Sequence, residues 1–275
     1  MLESSSEEQP EAASPTLTVE QAIANLRSPD LSLRYYAAWW LGKFRVQERA
    51  AVNALIEALE DEADRTELGG YPLRRNAARA LGKLGDLQAV PMLIRCLDCS
   101  DFYVREAAAQ SLAMLGDPSA IPALTDLLAG GVAAAVFVPG RPHLAQPYDS
   151  VIEALGSLQA KSAVPLIGPF IEHPTPRVQY AALRAMYQLT QDDAYGQRLM
   201  LGLESDDLKL RRVVLADLGA TGYLPAAEAI ARAKVENSFK LLALKGLLEH
   251  QLNPSDVLPL SEDAIRVMHL MDALL

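Results

Sequence analysis

The stretch Leu33–Phe44, LRYYAAWWLGKF, sets the pattern that the rest of the chain repeats. Its small residues, Ala37, Ala38 and Gly42, lie at helical spacing, and apolar residues at i, i+3 and i+4 supply a packing face. The same skeleton, [LV]-R-x-x-A-A-x-x-L, recurs along the chain without the aromatic residues. The stretch therefore predicts a helix that is the first copy of an internal repeat.

Six further copies of this skeleton follow, and each ends on an apolar residue. With the first copy, the closing residues are Leu41, Leu81, Leu112, Leu155, Met186, Leu218 and Leu247, spaced by 40, 31, 43, 31, 32 and 29 residues. A Gly-containing turn and a second helix with Pro near its start follow in most units. A basal period near 31 with two helices per unit predicts an all-α fold, namely an α-α superhelix or solenoid of about seven short HEAT-like helical pairs.

The two long spacings indicate two loop insertions, Glu62–Tyr71 and Gly130–Pro147. Insertions in a solenoid emerge on one edge, which is often the binding edge. Residues 1–16 are acidic and rich in Ser and Pro, so they predict a disordered tail. Residues 17–260 predict the solenoid, and residues 261–275 an amphipathic helix that either caps the stack or docks on a partner.

Composition excludes several classes of function. The net charge of -10 and the absence of a basic run disfavour nucleic-acid binding. Apolar runs are too short to cross a membrane, and a basic-then-apolar leader pattern is lacking, so we expect a cytoplasmic protein. Cys96 and Cys99 form a lone C-x-x-C without a second pair or suitably spaced His residues. We therefore expect ordinary reduced thiols and no metal site. The sequence has no phosphate-loop or hydrolase motif.

Arginines occupy one position of the repeat, at Arg34, Arg74, Arg105 and Arg211, and acids often lie four residues earlier. The simplest interpretation is a structural ladder of Asp–Arg pairs between neighbouring repeats. Two copies carry a second arginine, as in Arg74–Arg75, and a ladder needs only one of the two. The spare guanidinium could form a fork for a carboxylate.

The aromatic residues of the first copy form two i, i+4 pairs, Tyr35 with Trp39 and Tyr36 with Trp40. The pairs must lie on adjoining faces of the helix, so one pair can fill the core while the other faces a groove. The spacing leaves open which pair is which.

Seven quoted segments together resemble the family of phycocyanobilin lyase E subunits, the HEAT-repeat alpha-type partners in E/F heterodimers. The resemblance covers nearly all of residues 17–251, includes both insertions, and is carried by LRYYAAWWLGKF, GGYPLRRNAARALGKLGD, DFYVREAAAQSLAMLGDPSAIPALTDLL, QPYDSVIEALG, RVQYAALRAMYQLT, LRRVVLADLGATGYLPAA and ENSFKLLALKGLLE. It is more specific than a general HEAT match.

This resemblance implies an enzyme subunit that is active only with its F partner. The heterodimer would attach phycocyanobilin, an open-chain tetrapyrrole, through a thioether to a cysteine of the phycocyanin alpha subunit, in the cyanobacterial cytoplasm. Phycocyanobilin would be a substrate, and no tightly bound cofactor is expected. Because the acceptor supplies the thiol, this chain would act by positioning the bilin and controlling its protonation.

The resemblance also implies roles for candidate residues on the expected groove. Stacking or partner contact is expected from Tyr35, Tyr36, Trp39, Trp40 and Tyr148. Arg74, Arg75 and Arg105 would hold the bilin propionates, and Asp101 or Asp149 would pair with the pyrrole nitrogens. Two alternatives stay open: a non-catalytic HEAT scaffold or chaperone for phycobilisome assembly, and a lyase of the same clan for another phycobiliprotein.

Overall fold

A computed structural model describes residues 17–252 and 260–275 of the chain. The tail expected at residues 1–16 lies outside the described residues. Within the described part the protein is built from α-helices and short 3-10 helices, and its one β element is an isolated bridge between Phe137 and Leu144. The all-α repeat fold is confirmed.

The α-helices of the described residues alternate between long and short ones along most of the chain. In chain order they are α1 Val19–Asn25, α2 Leu31–Lys43, α3 Arg49–Ala58, α4 Pro72–Leu84, α5 Val90–Cys96, α6 Phe102–Leu115, α7 Ile121–Asp126, α8 Gly131–Ala134, α9 Tyr148–Ser157, α10 Val164–Ile167, α11 Pro176–Thr190, α12 Asp193–Leu201, α13 Leu208–Thr221, α14 Ala227–Arg232, α15 Asn237–Gln251 and α16 Glu262–Asp272.

The helices form two layers. The long-helix layer consists of α2, α4, α6, α9, α11, α13 and α15, each packed beside the next in chain order. Shorter helices, among them α3, α5, α7, α12 and α14, cover one side of this layer. The opposite side of the long-helix layer, here called the open face, has no second layer among the described residues. The apolar core therefore lies between the two layers.

Glycines set the close approach of neighbouring long helices. A Cβ at Gly42 of α2 would lie 2.8 Å from the Cα of Ala80 in α4, and one at Gly156 of α9 would lie 2.9 Å from the Cα of Ala185 in α11. Such distances are below van der Waals contact, so only glycine permits this spacing. The small residues of the repeat thus determine how tightly successive units stack.

The repeated aspartates act as helix N-caps, so the expected Asp–Arg ladder is wrong in its partners. The carboxylates of Asp30, Asp101 and Asp207 accept hydrogen bonds from backbone N–H groups in the first turns of α2, α6 and α13. An Asp at this position satisfies donors that have no partner inside the helix. The repeated arginines bind other groups: Arg34 pairs with Asp61 and donates to Leu26 O at 3.0 Å, and Arg211 donates to Lys234 O at 3.2 Å.

The final helix, α16, packs against α14 and α15 at the end of the stack. Ala264 and Val267 are buried in this contact, and Arg266 forms a bidentate ion pair with Glu228. Ile265 and Met268 remain exposed on the outer side of α16. The helix thus covers the apolar end of the last repeat.

Candidate functional site

Both insertions come to the same end of α4 and α6 and enclose a cavity of about 580 Å³. The first insertion forms a tight turn in which Thr66 N donates to Gly70 O at 2.9 Å. The second insertion folds back on itself, with Val138 N donating to His143 O at 3.0 Å. The cavity is lined by Tyr35, Thr66, Leu68, Gly69, Gly70, Tyr71, Pro72, Arg75, Ser100, Asp101, Phe102, Tyr103, Arg105, Val138, Arg141, Pro142, His143 and Ala145.

Two cations line this cavity without a carboxylate partner among the described residues: Arg141, which donates to Leu68 O at 3.5 Å, and Arg75. The Arg75 guanidinium lies 4.9 Å from the centre of the Tyr103 ring. Its Nε is buried without a hydrogen-bond partner, and no carboxylate in residues 17–252 or 260–275 lies within salt-bridge distance. A buried guanidinium donor without an acceptor is costly, so the site is prepared for an anionic group.

Arg212 shows what the second arginine of a doublet does elsewhere in the repeat. Its guanidinium lies 4.9 Å from the ring of Phe239, just as Arg75 lies over Tyr103. In addition, Arg212 binds the Glu236 carboxylate with two nitrogens. The acid at the corresponding place for Arg75 is Asp101, which is engaged by backbone groups. Arg75 thus keeps the stacking contact and lacks the carboxylate.

Arg74 and Arg105, which were expected to bind propionates, are both engaged by other groups of the protein. Arg74 donates to Asp61 O at 2.7 Å, pairs with Glu62 and lies 4.1 Å from the Tyr71 ring centre. Arg105 donates to Gln146 Oε1 at 2.8 Å, to Cys99 O at 2.6 Å and to Ala145 O at 3.0 Å. These bonds fix the second insertion to the start of α6.

The expected acids differ in what they contact. Asp101 accepts from Tyr71 N and Tyr103 N, both at 2.8 Å, so each of its oxygens already has a backbone donor. Asp149 is buried and pairs with Arg177 at 2.5 Å. Asp101 therefore joins the first insertion to α6, and it also lines the larger cavity.

The four aromatic residues of α2 are divided three to one. Tyr35 and Tyr36 are each 47% exposed and Trp39 is 44% exposed, with the Tyr36 and Trp39 rings 5.5 Å apart. Trp40 is partly buried, packs against the core and lies 4.9 Å from the Phe44 ring. Tyr35 reaches the cavity itself. Three of the four rings thus line the open face, and Trp40 belongs largely to the core.

Tyr148 is a core residue, which corrects its expected place in the groove. Its side chain is only 2% exposed and its ring lies 5.5 Å from that of Phe170. Tyr148 is the first residue of α9, and the second insertion runs directly into it. The N-terminal position suggested a lining residue, but the ring turns inward between the layers.

Sequence reasoning missed a second, adjoining cavity and the aromatic wall between the two. This cavity, of about 230 Å³, shares Phe102, Tyr103, Pro142 and His143 with the larger one. The His143 ring stacks on Phe102 at 4.2 Å and meets Tyr103 edge-on at 5.9 Å. The smaller cavity is also lined by Glu106, Phe137, Leu144, Gln146, Asp149, Thr175, Arg177 and Val178.

The 18-residue length of the second insertion is the feature of the sequence that points to this wall. The position of the insertion between the repeats of α6 and α9 also places it beside Phe102. The stacking of His143 on that ring, by contrast, depends on how the loop folds back, which periodicity does not determine.

The thiols and the other potential metal ligands of the described residues do not form a common cluster. Cys96 is buried, and burial raises the pKa of its thiol to about 12, so the thiolate is disfavoured. Among the described residues no group of three or more His, Cys, Asp or Glu side chains is placed to hold a metal ion. None of the described helices is both long and apolar enough to cross a membrane.

These features define a HEAT-repeat solenoid with an aromatic and guanidinium-lined cavity on its open face. Residues 71–136 match the HEAT repeats family, and residues 33–61 match the PBS lyase HEAT-like repeat family. The chain is 70% identical to the phycocyanobilin lyase subunit alpha of Nostoc sp. (strain PCC 7120), over 100% of both chains. The chain belongs to the phycocyanobilin lyase alpha-subunit family.

Two further comparisons place the chain within this group. It is 48% identical to the bilin biosynthesis protein PecE of the same Nostoc strain, over 89% of this chain and 92% of that protein. The structure of the complex of CpcE and CpcF of phycocyanin lyase from Nostoc sp. PCC7120 contains a chain that is 70% identical, with a TM-score of 0.90 over 99% of this chain and 100% of the other. The similarity therefore includes the fold as well as the sequence.

Proposed function

We propose that this chain is the alpha-type subunit of a heterodimeric bilin lyase that attaches phycocyanobilin to a cysteine of the phycocyanin alpha subunit. Its partner would be a second HEAT-repeat subunit of the F type, and its site of action the cyanobacterial cytoplasm. Support comes from 70% identity over the full length to a phycocyanobilin lyase subunit alpha and from the likeness to a chain of the CpcE and CpcF complex.

We place the bilin at the large cavity on the open face. The observation that carries this assignment is Arg75, a guanidinium that lines the cavity and has no carboxylate partner among the described residues. A bilin carries two propionates, and an arginine fork suits a carboxylate. Tyr35, Tyr36 and Trp39 would offer flat surfaces to the conjugated rings.

The main contribution of this chain to the reaction would be to position the bilin. The acceptor thiol adds to the ethylidene group of the bilin, so a C–S bond forms, the C=C bond is consumed and the thiol proton passes to the bilin. No leaving group or redox step is involved. Holding the rings and one propionate would select the face and the cysteine that react, which is catalysis by orientation.

The test uses the reconstituted heterodimer with free bilin and the acceptor subunit. We expect Arg75→Ala to weaken bilin binding by about 10- to 100-fold, since a hydrogen bond to a charged group is worth ~1.5–3 kcal/mol. Arg212→Ala is the matched control, because Arg212 makes the same ring contact but lies outside the cavity. Equal affinities of wild type and Arg75→Ala would refute the location of the site.

The same assay distinguishes the proposed lyase subunit from an assembly scaffold and from a lyase for another phycobiliprotein. A scaffold that only assembles proteins would leave the visible absorption of free bilin unchanged, whereas a lyase subunit pair should shift it. Transfer to separate alpha and beta acceptor subunits then identifies the acceptor. Transfer to another phycobiliprotein, but not to the phycocyanin alpha subunit, would replace the proposed substrate with one closer to the PecE branch.

A further inference from the structure

The open face carries a carboxyl group that neither the fold nor the site described so far employs. Glu106 lies on α6, one turn from Phe102 and next to Arg105, and lines the smaller cavity. Its side chain is only 13% exposed. Within the described residues its nearest charged partner is Arg79, at 3.7 Å, which is beyond hydrogen-bond distance. Glu106 is thus a mostly buried side chain that pairs loosely with Arg79 and whose oxygens accept no hydrogen bond.

The two neighbouring acids, unlike Glu106, have close partners. Asp101 accepts two backbone hydrogen bonds, and Asp149 is paired with Arg177 at 2.5 Å. The Glu106 oxygens accept no hydrogen bond and are not among the buried, unpartnered side-chain atoms of the described residues, so they face the cavity and can meet a ligand there. Of the three carboxyl groups near the cavities, Glu106 is the one whose oxygens are free to meet it.

The surroundings of Glu106 favour its neutral form. Burial raises the pKa of this carboxyl above its ordinary value, and the negative charge of Asp149 adds to the shift. Arg177, Arg79 and Arg75 act in the opposite direction, because their positive charges stabilise the carboxylate. The group therefore sits between one acid and three guanidiniums, whose charges act on it in opposite directions.

We propose that Glu106 contacts the nitrogen side of the bilin and donates a proton to it, a role that rests on the function proposed above. In this step the carboxyl O–H bond breaks and an N–H bond forms on the basic pyrrole nitrogen. A carboxylate then faces a bilin cation, and the guanidiniums of Arg79 and Arg177 stabilise that carboxylate. The protonated bilin accepts the thiol at its ethylidene group more readily than the neutral form.

Arg75 and Glu106 would then bind different parts of the bilin. Arg75 would hold a propionate in the larger cavity, and Glu106 the nitrogens in the smaller one. The two cavities lie on either side of Phe102, Tyr103, Pro142 and His143, so a ligand that reaches both would extend over the rim of this aromatic wall. Asp101 and Asp149 would instead keep the first insertion and α11 in place.

The experiment measures the protonation pKa of phycocyanobilin bound to the reconstituted heterodimer, by absorbance titration, together with the rate of transfer to the acceptor. We expect Glu106→Gln to lower the pKa of the bound bilin by at least one pH unit and to slow transfer at least tenfold, with bilin affinity within about threefold of wild type. Glu106→Asp should give an intermediate pKa. Glu172→Gln, at an exposed ion pair with Arg198, is the control.

Two results would overturn the inference in distinguishable ways. If Glu106→Gln binds bilin with an unchanged pKa and transfer rate, the assignment of Glu106 is wrong and the proposed function stands. If the wild-type heterodimer does not bind bilin, the proposed function fails and this inference fails with it. Should Glu106→Gln not assemble with the partner, an unchanged pKa in Glu106→Asp is the result that refutes the proposal.

Discussion

The unequal burial of Trp39 and Trp40 leads to opposite expected effects of removing them. Trp40 packs against the core and Phe44, whereas Trp39 is 44% exposed on the open face. Truncating a buried Trp to Ala costs ~3–5 kcal/mol, so for the partly buried Trp40 we expect a loss of ~2–3 kcal/mol in the free energy of unfolding. Trp39→Ala should change it by ~0.5 kcal/mol or less, as exposed substitutions do.

The chain supplies its own optical probe for this test, because these are its two tryptophans. Each variant leaves a single tryptophan, so guanidinium denaturation can be followed by fluorescence and by circular dichroism on the same samples. The tryptophan left in Trp39→Ala should emit at shorter wavelength than the one left in Trp40→Ala, since Trp40 is less exposed to water.

The two tryptophan variants should also differ in how they bind bilin. Added bilin should quench Trp39 in the Trp40→Ala heterodimer more strongly than it quenches Trp40 in the Trp39→Ala heterodimer. Affinity should fall mainly in Trp39→Ala, by about 5- to 100-fold for the loss of ~1–3 kcal/mol from a stacked aromatic contact. If instead Trp39→Ala is the destabilised variant and Trp40→Ala the one with weakened binding, the division of this helix into core and site is wrong.

Three further substitutions test the framework. Gly156→Ala should destabilise the protein by ~1–3 kcal/mol in chemical denaturation, because the added Cβ overpacks the contact with α11, whereas Gly168→Ala, with open space around it, should be neutral. Burial raises the pKa of Glu153 from its ordinary value to about 7 in the folded protein. The contribution of this carboxyl to stability is therefore full below about pH 4.5 and is lost as the pH rises through about 7. Glu153→Gln should therefore stabilise the protein by ~1–2 kcal/mol at pH 8, where Arg184 keeps Asp217 as a partner, and flatten the pH profile. Arg105→Ala should speed hydrogen exchange of the amides of the second insertion, since two hydrogen bonds, to Gln146 and Ala145, hold that loop to α6, and unchanged exchange would contradict this anchoring.

Periodicity was enough to predict the fold, because each repeat buries the same positions. The spacing of the closing apolar residues predicted the paired helices, and neighbouring long helices approach closely at Gly42 and Gly156, as small-residue packing requires. The two long spacings also located both insertions. The partners of the repeated Asp and Arg were mistaken, since N-capping and binding to loop carbonyls satisfy backbone groups that a pattern of side chains does not display.

The candidate site was less accessible to sequence reasoning because its members come from five separate segments. Helical spacing placed Tyr35, Tyr36 and Trp39 on the chain but could not decide which aromatic residue of α2 enters the core. His143 and Arg141 reach the cavity only through the return of the second insertion, which no period describes. A residue such as Glu106 is distinguished by the donors it lacks, and that property becomes visible only when its neighbours are known.

The departures from the repeat are therefore more informative about function than the repeat itself. Where the pattern is complete, as at Arg212, the second guanidinium covers the next aromatic ring and binds the next acid. At Arg75 the same position keeps the ring but has lost the acid, because the first insertion recruits Asp101 through Tyr71 N. The first insertion thus both contributes to the cavity wall and engages the acid at the position corresponding to Glu236. Shortening the first insertion to the basal repeat length should return Asp101 to Arg75 and abolish bilin binding while leaving the helical stack intact.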